Sequence, residues 1–129
     1  EGLSHTYRHA LYHNRRFVDA AHTQKCVLPC TPLAVVKIME HLSLYAPVGD
    51  SDDSDHASPT TPSTDRLSGR TITVINRSEI VGRPLAAMLA NDGAVVYSVD
   101  ISSIYRFRRV GTRGKLEACD MTLEDCVRA

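Results

Sequence analysis

The 129-residue sequence has no excess of charge of either sign, and this absence excludes partners that charge alone would attract. Lysine plus arginine and aspartate plus glutamate number 15 each, so nothing in the balance favours nucleic acid or an anionic membrane surface. Long apolar runs are also missing. The stretch at residues 33–39 is interrupted by Lys37 and is too short to span a bilayer. We therefore expect neither a nucleic-acid partner nor a transmembrane segment.

The sequence shows no secretory signal. It begins Glu1-Gly2-Leu3, without a basic region or an apolar leader, and we expect a reducing, cytoplasmic setting with free thiols. The four cysteines are at positions 26, 30, 119 and 126, and these spacings do not match a zinc knuckle. The abrupt start, and a predicted helix from Met121 that ends with the chain, suggest an internal fragment.

Three histidines near the start recur every fourth residue. His5, His9 and His13 would share one face of a helix, and three imidazoles in that arrangement could hold a metal. The glutamate of an H-E-x-x-H motif is absent, however, and neighbouring arginines would repel a cation. We favour a polar helix face without a metal and keep a metal-binding module as an alternative.

The middle of the chain predicts a helix and then an insertion. Thr31 is a suitable N-cap with Pro32 at the first helical position, and apolar residues recur at helical spacing as far as Tyr45. Residues 47–66 are rich in Asp, Ser, Thr and Pro and nearly lack apolar side chains. We therefore predict a flexible, acidic surface insertion there.

Residues 67–129 predict an α/β fold of the dinucleotide-binding kind. A β-branched strand at residues 71–75 is followed by a polar loop, a helix that opens at Gly82, and a second strand at residues 94–99 that leads into Asp100. Asn76 takes the place of a first glycine, because asparagine tolerates the left-handed conformation. In such a unit the helix N-terminus faces a pyrophosphate, and an acid after the second strand binds the ribose hydroxyls and disfavours NADP. Asp100 therefore predicts that the cofactor is NAD and not NADP.

Two motifs resemble those of the methylenetetrahydrofolate dehydrogenase/cyclohydrolase family. Residues 76–86, N-R-S-E-I-V-G-R-P-L-A, are similar to its G-R-S-x-x-V-G-x-P-L-A signature. Residues 29–32 match its P-C-T-P motif at the start of the helix that links its two domains. The variants in the loop and in the second strand resemble those of the NAD-dependent monofunctional branch of fungi.

The resemblance implies a set of binding residues. Arg77 corresponds to an arginine that holds the 2′-phosphate in NADP-using members, so here it either pairs with Asp100 or lies along the adenine. Glu1 takes the place of an aspartate that approaches the folate. The implied cofactor-binding residues are Asn76, Arg77, Ser78, Val81, Gly82, Asp100 and Ile101.

The resemblance also implies a function and a domain arrangement. The family oxidises 5,10-methylenetetrahydrofolate to 5,10-methenyltetrahydrofolate, here with NAD, as a homodimer. Residues 1–46 would end the substrate domain and form its linker helix, and residues 67–129 would form the first half of a Rossmann domain. The family's Tyr-x-x-x-Lys pair is absent from the sequence, so no catalytic residue is predicted, and we expect an inactive two-strand remnant. The alternative is a non-catalytic nucleotide-binding or interaction module.

Overall fold

The computed structural model describes residues 2–46, 65–111 and 113–129. One four-stranded sheet, in the order β1-β2-β3-β4, is covered by helices on both faces, which makes the fold α/β. The elements are α1 (His5–Tyr12), α2 (Cys30–His41), β1 (Thr71–Ile75), α3 (Gly82–Asn91), β2 (Val95–Val99), β3 (Ile104–Val110), β4 (Arg113–Cys119) and α4 (Leu123–Arg128). Glu1 and most of the predicted insertion lie outside the described residues. Within them, no helix is both long enough and apolar enough to cross a membrane.

The predicted strand-helix-strand unit is confirmed. β1 and β2 are parallel, with Thr71 opposite Val95 and Ile75 opposite Val99. The parallel arrangement requires a crossover, and α3 provides it. Because side chains alternate along β2, Val96 packs toward α3 while Tyr97 packs into a second core on the opposite face.

Helix α3 is the centre of the main core, and every one of its residues except Arg83 is buried. Ala86, Leu89 and Ala90 are almost completely buried in this core, and the two small alanines allow neighbouring elements to approach the helix closely. Gly93 ends the helix with a φ of 99°, a left-handed conformation that glycine adopts without a Cβ penalty. This burial fixes α3 and with it the loop that leads into the helix.

The expectation of a two-strand remnant was wrong. β3 and β4 form an antiparallel hairpin, and β3 pairs antiparallel with β2, so the outer side of β2 is covered. The alternation of apolar and polar side chains that predicts a strand is hard to recognise in β3, because charged residues occupy one of its faces. Arg106 and Arg108 lie on that face and are paired with Glu117 on β4. Within the described part of the chain, the parallel strand at the edge of the sheet is β1.

The predicted boundaries of α2 were wrong at both ends. The helix begins at Cys30, with Pro29 as N-cap and no side-chain capping bond, so Thr31 is not the cap. Pro32 is tolerated at the third helical position because N–H groups of the first turn have no partner within the helix. The helix ends at His41, not at Tyr45, and Ser43 turns the chain with a φ of 57°.

Helix α1 carries the three histidines on one face, as predicted. The rings stack on one another, with the centroids of His9 and His13 4.1 Å apart. In the part of the chain that the structure describes, no three metal-binding side chains converge on one point. The other face of α1 packs on α3, where Asn91 Nδ2 donates a buried hydrogen bond of 2.9 Å to the carbonyl oxygen of Leu11.

Helix α4, predicted from Met121, begins at Leu123 and covers the opposite face of the sheet. Thr122 is its N-cap and forms a reciprocal capping box with Asp125. The Thr73 hydroxyl donates a 2.6 Å hydrogen bond to the carbonyl oxygen of Cys126, which ties α4 to β1. Cys126 is buried, and none of the four cysteines forms a disulfide.

Candidate functional site

An open cleft of about 970 Å³ lies at the carboxyl ends of β1 and β2. Its walls are the loops that follow β1, β2 and β4, which the parallel pairing of β1 and β2 and the hairpin bring to one edge of the sheet. In open α/β folds ligands bind at this edge. Predicted site residues that line the cleft are Asn76, Arg77, Ser78, Asp100 and Ile101.

The loop between β1 and α3 is held by Ser78. Its hydroxyl oxygen accepts hydrogen bonds from the N–H of Val81 at 3.1 Å and of Gly82 at 3.4 Å. Its carbonyl oxygen accepts a third, from the N–H of Arg83 at 3.0 Å. These bonds satisfy donors that a helix N-terminus otherwise leaves without partners. Ser78 therefore acts as the cap of α3, although Val81 occupies the N-cap position.

The left-handed conformation suggested for Asn76 was wrong, since the described non-glycine residues with positive φ are Asn14, His22 and Ser43. The side chain of Asn76 turns the loop instead, because its Oδ1 accepts a 2.9 Å hydrogen bond from the N–H of Ser78. Asparagine is thus suited to this position by its side-chain oxygen.

Gly82 is required by a close backbone approach. A Cβ at this position would lie 2.5 Å from both the carbonyl carbon and the Oδ1 of Asn76, closer than real Cβ atoms come. The first turn of α3 consequently lies directly against the start of the loop. This packing brings the positive end of the helix dipole close to the cleft.

Asp100 follows β2 and faces Arg77. Asp100 Oδ1 accepts a 2.9 Å hydrogen bond from the N–H of Ile101, and Oδ2 lies 3.3 Å from Nη2 of Arg77. The bond from Ile101, together with the bond from Arg77, lowers the pKa of the Asp100 carboxyl below its ordinary value. Of the two alternatives predicted for Arg77, the structure therefore shows pairing with Asp100. The Asp100 side chain keeps 49% of its surface exposed and is accessible to a ligand.

Two residues that sequence reasoning missed hold Arg77 in place. Its Nη2 donates to the carbonyl oxygen of Ser103 at 3.2 Å and also to the Ser103 hydroxyl oxygen. Its guanidinium lies over the ring of Tyr105, 4.6 Å from the centroid. Ser103 directly precedes β3 and Tyr105 lies in it, and this strand was not predicted, so no pattern in the sequence connected the two residues with Arg77.

The remaining predicted site residues have distinct positions. Ile101 is fully exposed beside the cleft, a position from which an apolar side chain can contact a ring. Val81 is half-buried at the start of α3 and does not line the cleft. Glu1, the predicted folate contact, lies outside the described residues. The cofactor-binding role of these residues stays a prediction.

Comparisons with known proteins find sequence similarity to one family of NAD(P)-binding enzymes. The model of the tetrahydrofolate dehydrogenase/cyclohydrolase NAD(P)-binding domain matches residues 60–110. The NAD-dependent methylenetetrahydrofolate dehydrogenase of Dictyostelium discoideum is 48% identical over 98% of this chain, which covers 38% of that protein. The corresponding protein of Saccharomyces cerevisiae is 52% identical over 84% of this chain, with 30% of that protein covered.

A solved structure is similar to this chain in both fold and sequence. The NAD-dependent 5,10-methylenetetrahydrofolate dehydrogenase from Saccharomyces cerevisiae superposes with a TM-score of 0.78 and 44% identity over 99% of this chain and 38% of that one. The chain thus spans about a third of the length of the curated relatives it matches. These matches confirm the Rossmann-like fold and the resemblance that the two motifs indicated.

Proposed function

We propose that this chain is the cofactor-binding portion of an NAD-dependent methylenetetrahydrofolate dehydrogenase, and that the cleft beside Asp100 binds the adenosine half of NAD. The observation that carries the proposal is the position of Asp100. It follows the second parallel strand, lines the cleft and is joined through Arg77 to the loop that starts α3. An acid at this place accepts hydrogen bonds from both ribose hydroxyls and repels a 2′-phosphate.

The donors and acceptors around the cleft fit this cofactor. Each carboxylate oxygen of Asp100 accepts one hydrogen bond within the protein and keeps capacity for a ribose hydroxyl. The Ser78 hydroxyl accepts two N–H bonds, and its own proton is left for donation to a pyrophosphate oxygen. The positive end of α3 lies behind it and favours the negative charge.

The hydride transfer requires the complete enzyme. Bound NAD supplies a nicotinamide ring that accepts a hydride from the methylene carbon of 5,10-methylenetetrahydrofolate. The described residues contribute by binding and orienting the adenosine and pyrophosphate groups. We also propose the homodimer and the cytoplasmic location that the resemblance implies.

Titration of the purified chain with NAD and with NADP, by calorimetry, tests the proposal. We expect saturable NAD binding and weaker NADP binding. Replacement Asp100→Ser should weaken NAD binding by about tenfold or more, because hydrogen bonds to a charged group contribute about 1.5–3 kcal/mol. The control is Ser68→Ala, an exposed serine outside the cleft, which should bind NAD like the parent.

Thermal unfolding of each variant shows whether loss of binding reflects loss of the fold. A parent chain that unfolds cooperatively but binds neither nucleotide would contradict the proposal and favour a non-catalytic interaction module. Equal affinity for NAD and NADP would contradict the role assigned to Asp100.

A further inference from the structure

A second cleft, of about 500 Å³, borders Asp100 on the side of the sheet that faces α3. Two arginines line it, Arg77 and Arg83, together with Ser103 and Tyr105. Two arginines beside a ribose-binding acid would be an obvious site for a 2′-phosphate, because phosphate is bound best by guanidinium groups. Whether the cleft binds a 2′-phosphate depends on whether Arg77 or Arg83 has an N–H donor that a phosphate oxygen can reach.

Arg77 presents no donor that is both exposed and unpaired. Its side chain is only 12% exposed, and its Nε and Nη2 are bonded to Asp100 and Ser103. Its Nη1 is buried and has no hydrogen-bond partner among the described residues. The ring of Tyr105 lies against one face of the guanidinium, 4.6 Å from centroid to Cζ. To reach a phosphate in the cleft, the guanidinium would have to leave these contacts.

Arg83 is held less firmly, since its side chain is 37% exposed. It forms an ion pair with Glu79 one turn earlier, and Glu79 accepts a second bond, of 3.1 Å, from Arg8 on α1. Arg83 additionally lies over the ring of Tyr12. Glu79 is shared between Arg83 and Arg8, so it compensates the charge of Arg83 only in part. Of the two arginines that line the cleft, Arg77 is thus the one that its contacts hold firmly in place.

We propose that Ser103 is a selectivity residue, which discriminates against NADP by fastening Arg77 to Asp100 so that the guanidinium cannot serve a 2′-phosphate. Tyr105 assists by covering one face of the same guanidinium. The inference rests on the proposed function, because it presupposes that the nucleotide lies beside Asp100. It assigns NAD preference to the whole Asp100-Arg77-Ser103-Tyr105 group and not to the carboxylate alone.

The alternative is that Ser103 only orders the loop between β2 and β3. In that case loss of the Ser103 hydroxyl would weaken the binding of NAD and of NADP equally. The selectivity role predicts an unequal effect, since a freed Arg77 gains access to the 2′-phosphate while the ribose contact of NAD is made by Asp100. The ratio of the two dissociation constants separates the two roles.

The test measures dissociation constants for NAD and NADP, by calorimetry, in the parent chain and in Ser103→Ala. We expect NADP to bind about three- to tenfold more tightly in the variant and NAD affinity to change less than NADP affinity does. The gain is smaller than the value of a full hydrogen bond to a charged group, because Arg77 keeps its bonds to Asp100 and to the Ser103 carbonyl oxygen. Ser103→Thr, which keeps the hydroxyl, should restore the parent ratio. Ser68→Ala is the control for removal of a serine hydroxyl elsewhere.

The double variant Ser103→Ala/Arg77→Met shows whether Arg77 causes the gain in NADP affinity. The gain in NADP affinity should disappear in it, because the arginine that would bind the phosphate is absent. If Ser103→Ala does not fold, Tyr105→Leu carries the test, with a gain in the same direction. An unchanged ratio in folded variants that bind NAD overturns this inference alone, whereas a folded parent chain without NAD binding overturns the proposed function together with it.

Discussion

Gly82 lies where the loop of the candidate site meets α3, and its contact with Asn76 leaves no space for a side chain. The Asn76 atoms that a methyl group would meet include backbone atoms, which cannot rotate away as a flexible side chain can. The loop or the helix would have to move, and α3 is fixed on all sides by the core.

We therefore predict that Gly82→Ala lowers the free energy of unfolding by about 1–3 kcal/mol, the usual range for overpacking. NAD affinity should fall by about tenfold or more, because the displaced loop carries Ser78 and Arg77. Chemical unfolding and calorimetric titration measure the two effects.

Gly114→Ala is the matched control for an added methyl group. There the nearest atom is the Tyr12 carbonyl oxygen at 3.2 Å, so a small adjustment suffices, and NAD binding should be unchanged. An unaltered NAD affinity in Gly82→Ala would show that the close approach is unimportant for the site.

Sequence reasoning located those site residues whose role depends on neighbours in the chain. Ser78, Gly82 and Asp100 belong to one strand-loop-helix-strand unit, so their positions followed from the order of elements and from the family motif. Ser103 and Tyr105 act on Arg77 across the sheet, from a hairpin that the pattern did not reveal. Contacts of that kind depend on tertiary pairing, which local periodicity does not contain.

At the scale of elements, the hairpin of β3 and β4 is held on one face by a cluster of charges. Glu117 lies 2.7 Å from both Arg106 and Lys115 and 3.2 Å from Arg108. The hydrogen bonds from Lys115, Arg106 and Arg108 lower the pKa of Glu117 from 4.5 to about 2. One carboxylate thus compensates three cations that would otherwise repel one another across the two strands.

This cluster gives the hairpin a predictable response to acid. Because the pKa of Glu117 is lower in the folded chain, its stabilising contribution is complete above pH 4.5 and is lost as the pH falls toward about 2. In Glu117→Gln the free energy of unfolding should be lower near neutral pH and should fall less steeply over that interval. Urea unfolding at a series of pH values measures both.

Glu124→Gln removes a carboxylate from an exposed ion pair within α4 and serves as the control, since its pairing with Arg128 involves a single cation. We expect its curve to follow the parent curve closely. Parallel curves for Glu117→Gln and the parent would contradict the role of the cluster.

Elements with strong local signals were predicted well, and their ends and the hairpin were not. The β-branched run of β1 and the glycine that opens α3 gave the correct bounds, because each is set by backbone preferences. The end of α2 depends on Tyr45, which leaves the helix to place its hydroxyl 2.9 Å from Asp92 Oδ2. Such a partly buried tertiary hydrogen bond competes with helix propagation, and the spacing of apolar residues does not reveal it.

At the scale of the whole molecule, two cores lie on opposite faces of one sheet. The larger joins α1, α2 and α3 to the sheet, and the smaller joins α4 to β2 and β3. The α/β class followed from the sequence, because strands and a helix alternate in the informative segment. How α1 packs did not follow, since its contact with α3 pairs residues far apart in the chain.

The hydrogen bond from Asn91 to Leu11 joins residues 80 positions apart in the sequence, whereas β3 and β4 are adjacent in the chain and pair from Val110 opposite Arg113 onward. Loop-closure entropy opposes contacts of long range, and contact order therefore implies that the hairpin forms early and α1 docks last. In pulsed hydrogen exchange during refolding, the amides of the hairpin should gain protection before those of α1. Simultaneous protection of both would refute this order. Late docking of α1 would also leave the face of α3 that it covers exposed to chaperones for the longest part of refolding.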